Sequence, residues 1–197
     1  MNFIKKKYFY LFLFSIQMLS SQNLDEWNIL EEGSVWVGWK YENNFPICMS
    51  KKSINAPMST IIDILENLGS YDQIFDRVDL SLLLDSSIVY IALEMPFPFS
   101  GRDYVVKYSK NIKGNEIIYS FNSITRKDAP IKEDYVRLIN AHGKWTLKEI
   151  SKNKTEVKYS WNGELLGEFP DWALTRAWLT QGKEVLEWLE IATNPKQ

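Results

Sequence analysis

The segment Pro170-Asp171-Trp172-Ala173-Leu174-Thr175-Arg176-Ala177-Trp178-Leu179-Thr180-Gln181-Gly182-Lys183-Glu184-Val185-Leu186-Glu187-Trp188-Leu189-Glu190-Ile191-Ala192 decides the architecture. Leu174, Ala177, Trp178, Gln181, Val185, Trp188, Leu189 and Ala192 share one stripe, with Lys183, Glu184, Glu187 and Glu190 opposite, as in an amphipathic helix. So long a stripe needs an apolar surface to cover it, and the preceding chain supplies one.

Upstream the hydrophobic period falls to two. Strands are expected over Val78–Leu84, Ile88–Met95, Tyr104–Lys110, Ile117–Ile124, Val136–Ile150 and Glu156–Trp161. Short polar turns such as Lys113-Gly114-Asn115 and Lys152-Asn153-Lys154 leave no room for a parallel crossover, so an antiparallel meander follows.

Before these strands, Met58, Ile61, Ile62, Leu65 and Leu68 are spaced for a helix that Pro57 opens and Gly69 stops. Earlier still, Val35–Tyr41 alternates as a strand and pairs across Asn43-Asn44 with Ile47–Ser50. A short amphipathic start lies around Leu24, Trp27, Ile29 and Leu30. This order is α+β: a curved antiparallel sheet wrapped around one long C-terminal helix.

The chain begins with Lys5, Lys6 and Lys7, then an apolar run from Tyr8 to Leu19, then Ser20 and Ser21 before a polar stretch. This is the form of a signal peptide over residues 1–21, leaving 22–197 as one exported domain, periplasmic or secreted. An uncleaved anchor is the alternative reading. The apolar run is too short to span a bilayer as a helix.

Hydrophobic residues make up 45% of the 197 residues and aromatics 14%, which excludes a disordered chain. Loss of the three leader lysines takes the net charge from −2 to −5, which argues against nucleic acid as a partner. The single cysteine, Cys48, cannot form an internal disulfide and reads as a small core residue. One histidine, His142, makes a Ser-His-Asp triad or a multi-histidine metal site hard to build. Asp63, Glu66, Asp72, Asp76 and Asp79 lack the spacing of a calcium loop.

Three stretches carry a family likeness. Met95-Pro96-Phe97-Pro98-Phe99-Ser100-Gly101-Arg102-Asp103-Tyr104-Val105 holds a proline-containing turn and an Arg-Asp-aromatic-Val strand. Tyr135-Val136-Arg137 leads through a small-residue segment to His142-Gly143-Lys144-Trp145. Glu164, Gly167, Phe169, Pro170 and Trp172 precede the last helix. Over Trp27 to Ala192 the chain resembles the START (StAR-related lipid-transfer) domain of the helix-grip, Bet v 1-like superfamily, which also includes polyketide cyclases. Glu164 stands where that family commonly has Asp, and Leu165-Leu166 replace a Pro-Gly or polar-Gly pair.

The resemblance implies an internal cavity between the concave sheet and the last helix, holding a lipid, sterol or fatty-acid-like molecule, with no cofactor. Some members keep a basic residue six positions beyond the Arg of the Arg-Asp motif. Tyr108 stands there, so an ion pair in the cavity is not implied.

Strand alternation puts Val157, Tyr159 and Trp161 on one face and Ile139, Trp145 and Leu147 on the matching face of the preceding strand, opposite Leu174 and Trp178. With Tyr108, Phe121 and His142, the expected ligand-binding set is Tyr108, Phe121, Ile139, His142, Trp145, Tyr159, Trp161, Leu174 and Trp178. Any one of these rings could equally be core, and His142 a hydrogen-bonded bulge residue beside Gly143. Arg102 and Asp103 point to opposite faces, so they cannot both line a pocket. Phe97 and Phe99 form an apolar turn suited either to transient membrane contact or to packing as a lid.

The function expected is that of a monomeric binder of a hydrophobic small molecule, for transport or sensing outside the cytoplasm, without catalytic residues, metal or cofactor. Its ligand would leave by a shift of the last helix or of the Pro96–Gly101 turn. The alternative is a polyketide cyclase- or hydrolase-like enzyme using His142, Glu164 or Tyr108 for acid–base chemistry.

Overall fold

A computed structural model describes residues 27–194. The leader segment, and with it the expectation of export, lies outside the described residues. From Trp27 onward the elements are β1 (Asn28–Glu32), β2 (Trp36–Glu42), β3 (Phe45–Ile54), α1 (Met58–Glu66), a 3₁₀ helix (Leu68–Gln73), β4 (Val78–Asp85), β5 (Ile88–Leu93), β6 (Gly101–Lys113), β7 (Glu116–Ser123), β8 (Tyr135–Arg137), β9 (His142–Ser151), β10 (Lys154–Asn162) and α2 (Asp171–Thr193).

The strands form one open ten-stranded sheet in the order β1-β2-β3-β10-β9-β7-β6-β5-β4, with β8 paired to β6. The β2–β3 turn is the expected tight reversal: Asn43 and Asn44 both adopt positive φ, 50° and 68°, as a two-residue hairpin loop requires. Asn tolerates that region better than most residues because its short amide bonds locally.

Two sequence expectations are corrected. The sheet is not a simple meander, since β3 pairs with β10 rather than with its successor, and β8 runs parallel to β6, Gly101 opposite Tyr135. The crossover that parallel pairing needs is supplied by β7 together with the long segment 124–134. The stretch Val136–Ile150 is likewise not one strand but two, broken at 138–141. Asp103 explains the break: it is 2% exposed and accepts from Arg137 Nε and Nη2 at 2.7 and 2.9 Å and from the Tyr90 hydroxyl at 2.9 Å. Binding Arg137 beside β6 takes the chain off the register it would need to run straight into β9.

The smaller differences are local. Helix α1 ends at Glu66 instead of Gly69, and its apolar residue Leu68 starts the 3₁₀ helix. β3 runs to Ile54 because it is paired on both sides, with β2 and with β10.

Helix α2 lies across β2 and β3 and beside α1. Its close seat depends on Gly182, where an added Cβ would come within 3.1 Å of Trp161 and Val37. Trp178, Leu186 and Leu189 are buried there with Val35, Val37 and Cys48, each fully buried apolar side chain contributing roughly 1.5–3 kcal/mol. Ion pairs Lys52–Glu190 and Lys183–Glu31, at 2.8 and 2.6 Å, flank this contact. The helix is thus held against one half of the sheet, while the other half curves away from it.

Candidate ligand cavity

The space between α2 and strands β5, β6, β7, β9 and β10 is a cavity of about 640 Å³. Its floor is made by inward-facing residues of neighbouring strands, Tyr108 (β6), Phe121 (β7), Trp145 (β9) and Tyr159 (β10). Register pairs Tyr108 with Phe121 and Trp145 with Tyr159, which is why residues far apart in sequence meet. Trp145 and Tyr159 stack with centroids 4.2 Å apart, Tyr108 and Phe121 lie 5.4 Å apart, and Phe121 reaches Tyr159 at 6.4 Å. Phe75, beyond the 3₁₀ helix, continues the row by stacking on Trp145.

Gly143 lets the row close. It lies in register between Phe121 and Trp161, and a Cβ there would sit 2.2 Å from the Ser160 carbonyl oxygen and 2.5 Å from the Phe121 ring.

The uncharged polar residues lining the cavity are Tyr71, Tyr104, Tyr108 and Tyr159 on the sheet side, and Thr180 and Gln181 on α2. Burial raises the pKa of Tyr71, Tyr104, Tyr108 and Tyr159, so all four stay neutral hydrogen-bonding groups at physiological pH. Tyr71 donates to the Leu65 carbonyl at 2.7 Å.

Charges line the cavity beside the loop 94–100 and on α2. Arg77 Nε and Nη2 donate to the Glu184 carboxylate at 2.5 and 2.8 Å, joining the entry to β4 to helix α2. That bond to Glu184 raises the Arg77 pKa. Glu94 and Arg176 also line the space. Phe97 and Trp172 border it too and are 96% and 78% exposed, leaving an apolar rim in solvent. Phe99 also borders the space and packs on Phe169, ring centroids 4.5 Å apart.

A second, smaller hollow of about 50 Å³ adjoins the cavity, and Leu93, Met95, Tyr104, Phe121, Tyr159, Leu165 and Gln181 border both. His142, Trp161, Asn162 and Glu164 border only this recess. Here Asn140 is the hub: its carbonyl accepts from Asn162 Nδ2 at 3.0 Å and meets His142 Nδ1 at 2.8 Å, while its own Nδ2 donates to Glu164 at 3.1 Å. Arg102, also on its edge, donates to the carbonyls of Ser100, Leu165 and Leu166 and so pins the loop before α2.

Of the nine residues read from the sequence, Tyr108, Phe121, Trp145 and Tyr159 line the cavity, and His142 and Trp161 line the recess. Three stand elsewhere. Ile139 is 69% exposed in the break between β8 and β9, where strand alternation no longer applies. Trp178 belongs to the core, donating to the Gly163 carbonyl at 2.8 Å and packing on Trp39 at 5.1 Å. Leu174 packs against that same core.

Sequence reading missed Tyr71, Tyr104 and Phe75, and also Arg77 and Glu184. The tyrosine at position 104 was visible within the Arg-Asp-aromatic-Val motif, but nothing local said that α2 would stand off from its strand. Among the described residues no group of three or more His, Cys, Asp or Glu side chains could hold a metal ion.

No family model matches the chain. An uncharacterised protein of Pseudomonas aeruginosa is 25% identical over 123 residues, a match spanning 60% of this chain and 61% of that protein's length. Among solved structures, a STAR-related lipid transfer protein fragment from Xanthomonas axonopodis superposes with a TM-score of 0.74 at 19% identity, over 86% of this chain and 99% of that one. Human StAR-related lipid transfer protein 5 gives 0.76 at 15% identity, over 87% and 88%. The Zhui aromatase/cyclase from Streptomyces sp. R1128 gives 0.52 at 12% identity, over 74% and 92%. The fold is therefore the START helix-grip fold.

Proposed function

We propose that this chain binds a hydrophobic small molecule, a lipid, sterol or fatty-acid-like compound, in the cavity between sheet and α2, as a monomer working outside the cytoplasm in transport or sensing. The observation that carries this reading is the cavity itself: about 640 Å³ walled by stacked rings and aliphatic side chains, with its charges confined to Arg77, Glu94, Arg176 and Glu184. Such a site gains affinity by burying apolar area, at about 0.8 kcal/mol per methylene. The lipid-transfer proteins among the structural neighbours support it. Placement outside the cytoplasm rests on the leader sequence alone.

Phe97 and Trp172, exposed at the cavity rim, are suited to touch a membrane surface while ligand passes. Phe99, paired with Phe169, would instead steady the turn.

Native mass spectrometry of protein purified from its source tests the proposal. The expected spectrum carries a lipid-sized adduct removable by solvent extraction. In an Ala177→Trp variant, whose new ring enters the cavity, the loaded fraction falls at least tenfold while the far-UV spectrum is kept. A wild-type protein that carries no adduct and takes up no added lipid would overturn the reading.

A cyclase or hydrolase reading draws on the aromatase/cyclases among the neighbours and on His142 and Glu164 at the recess. A His142→Ala protein that binds normally but loses turnover would favour it.

A further inference from the structure

The outer face of the sheet carries charges that its own strands leave unbalanced. Trp145 and Tyr159 face the cavity, so strand alternation turns Lys144 and Lys158 to the opposite side. Register sets Lys158 directly across from Lys51 of β3, and Lys144 across from Ser160, so these lysines gather on the adjacent strands β3, β10 and β9. Like charges directly opposite on neighbouring strands destabilise a sheet. An anion lying over them would reverse the sign of that cost.

The acids of this face do not neutralise the group. Glu156 bridges to Lys158 at 3.2 Å and also stands across from Lys148, while Glu42 bridges to Lys40 at 3.7 Å. Glu116 of β7 lies opposite Lys148, and Glu32 sits on the outermost strand β1. Lys51 and Lys144 make no ion pair among the described residues. Lys51 instead lies over the Trp36 ring at 5.6 Å and Lys40 over the Trp27 ring at 5.3 Å, the two indoles meeting edge to face at 5.8 Å. Indole beside ammonium is the composition of a bilayer interface.

Trp27 is also where the preceding chain joins this face. It stands eight positions after Leu19, the end of the apolar run, a reach of about 29 Å at most. A leader retained as an anchor would hold this face within that distance of the bilayer.

We infer that the outer face of β2, β3, β10 and β9 docks on an anionic bilayer, with Lys51, Lys144 and Lys158 over its phosphates and Trp27 and Trp36 at its interface. The chain from 22 to 197 carries a net charge of −5 and is repelled by such a surface as a whole, so the local group of lysines sets the orientation. The cavity lies on the other side of the same sheet, which leaves its rim at Phe97 and Trp172 for a separate encounter.

The test is flotation of the 22–197 chain, which keeps every element of the fold, with vesicles of phosphatidylcholine alone and of phosphatidylcholine mixed with phosphatidylglycerol. Binding is expected to the mixed vesicles only, and to fall roughly tenfold or more as ionic strength rises from about 0.05 to about 0.5 M. Replacing Lys51, Lys144 or Lys158 by Gln weakens it about fivefold each, the worth of one lysine at an anionic surface. Lys183→Gln, the same change of charge on α2, leaves it unaltered.

Equal binding to both vesicles, binding to neither, or binding indifferent to salt would overturn the inference, and these wild-type measurements decide it should a variant fold poorly. Binding kept in the lysine variants and lost in Phe97→Ser would place the contact at the cavity rim and overturn it as well. None of these outcomes touches the lipid adduct by which the carrier reading is judged.

Discussion

Gly143 shows how one residue can set the shape of the cavity. Between Phe121 and Trp161 only a hydrogen fits, because a Cβ would meet a carbonyl oxygen of β10 at 2.2 Å, and backbone inside a sheet cannot yield as a flexible side chain can. Gly143→Val is expected to cost about 3 kcal/mol, at the upper end for overpacking a sheet core, and to lower the urea midpoint accordingly. A variant of wild-type stability would show that the strands can part there. Asp103 acts as locally: one carboxylate holds Tyr90 and Arg137 on the outer face while Arg102 faces the other way. That division was legible in the sequence, since neighbours on a strand point oppositely; the partners were not, because they come from β5 and from beyond β7.

Helix α2 was legible as an element and misread as a surface. Its periodicity placed Glu184 on the solvent side, yet the helix has two occupied faces. One carries Trp178, Gly182, Leu186 and Leu189 against the sheet, and the other carries Ala177, Gln181, Glu184 and Val185 beside the cavity. A single hydrophobic stripe cannot announce a second face that looks onto an internal space and carries a charge. The Arg77–Glu184 bridge ties this second face to the entry of β4, and both side chains are about a third exposed. Its removal is therefore expected to change stability by no more than about 1 kcal/mol. Glu184→Gln should instead hasten ligand release several-fold, read as the off-rate of a fluorescent fatty alcohol, if α2 and β4 separate to open the cavity. An unchanged off-rate would place the exit elsewhere, with the 94–100 loop next in line.

The whole molecule responds to alkaline pH through its buried tyrosines. Tyr71, Tyr104, Tyr108 and Tyr159 have pKa values raised by burial above the ordinary value of 10.0, so the folded state keeps protons that the unfolded chain gives up. Their neutral state supports the fold fully below that value, and stability falls as pH rises beyond it. Thermal denaturation should thus show a midpoint dropping steeply above pH 10, with tyrosinate absorbance appearing only as the protein unfolds. Tyrosinate formation well before unfolding would mean that water reaches the cavity floor.

Sequence alone determined α1, most of the strands and the closing helix, because hydrophobic period and turn chemistry are properties of neighbouring residues, while the resemblance to the helix-grip family rested on the motifs around Arg102, Arg137 and Pro170; the short amphipathic start became strand β1, and one expected strand became β8 and β9. Alternation along a strand also put Trp145 and Tyr159 on a shared face, and with Tyr108 and Phe121 from the expected set they line the cavity floor. Only tertiary structure decided the pairing of β3 with β10, the parallel strand β8, the burial of Trp178 in the core and the displacement of Ile139 to the surface. Those outcomes depend on contacts between segments far apart in the chain. The empty space between helix and sheet has the same origin: α2 can lie close to only one half of a strongly curved sheet, and no local pattern records which half.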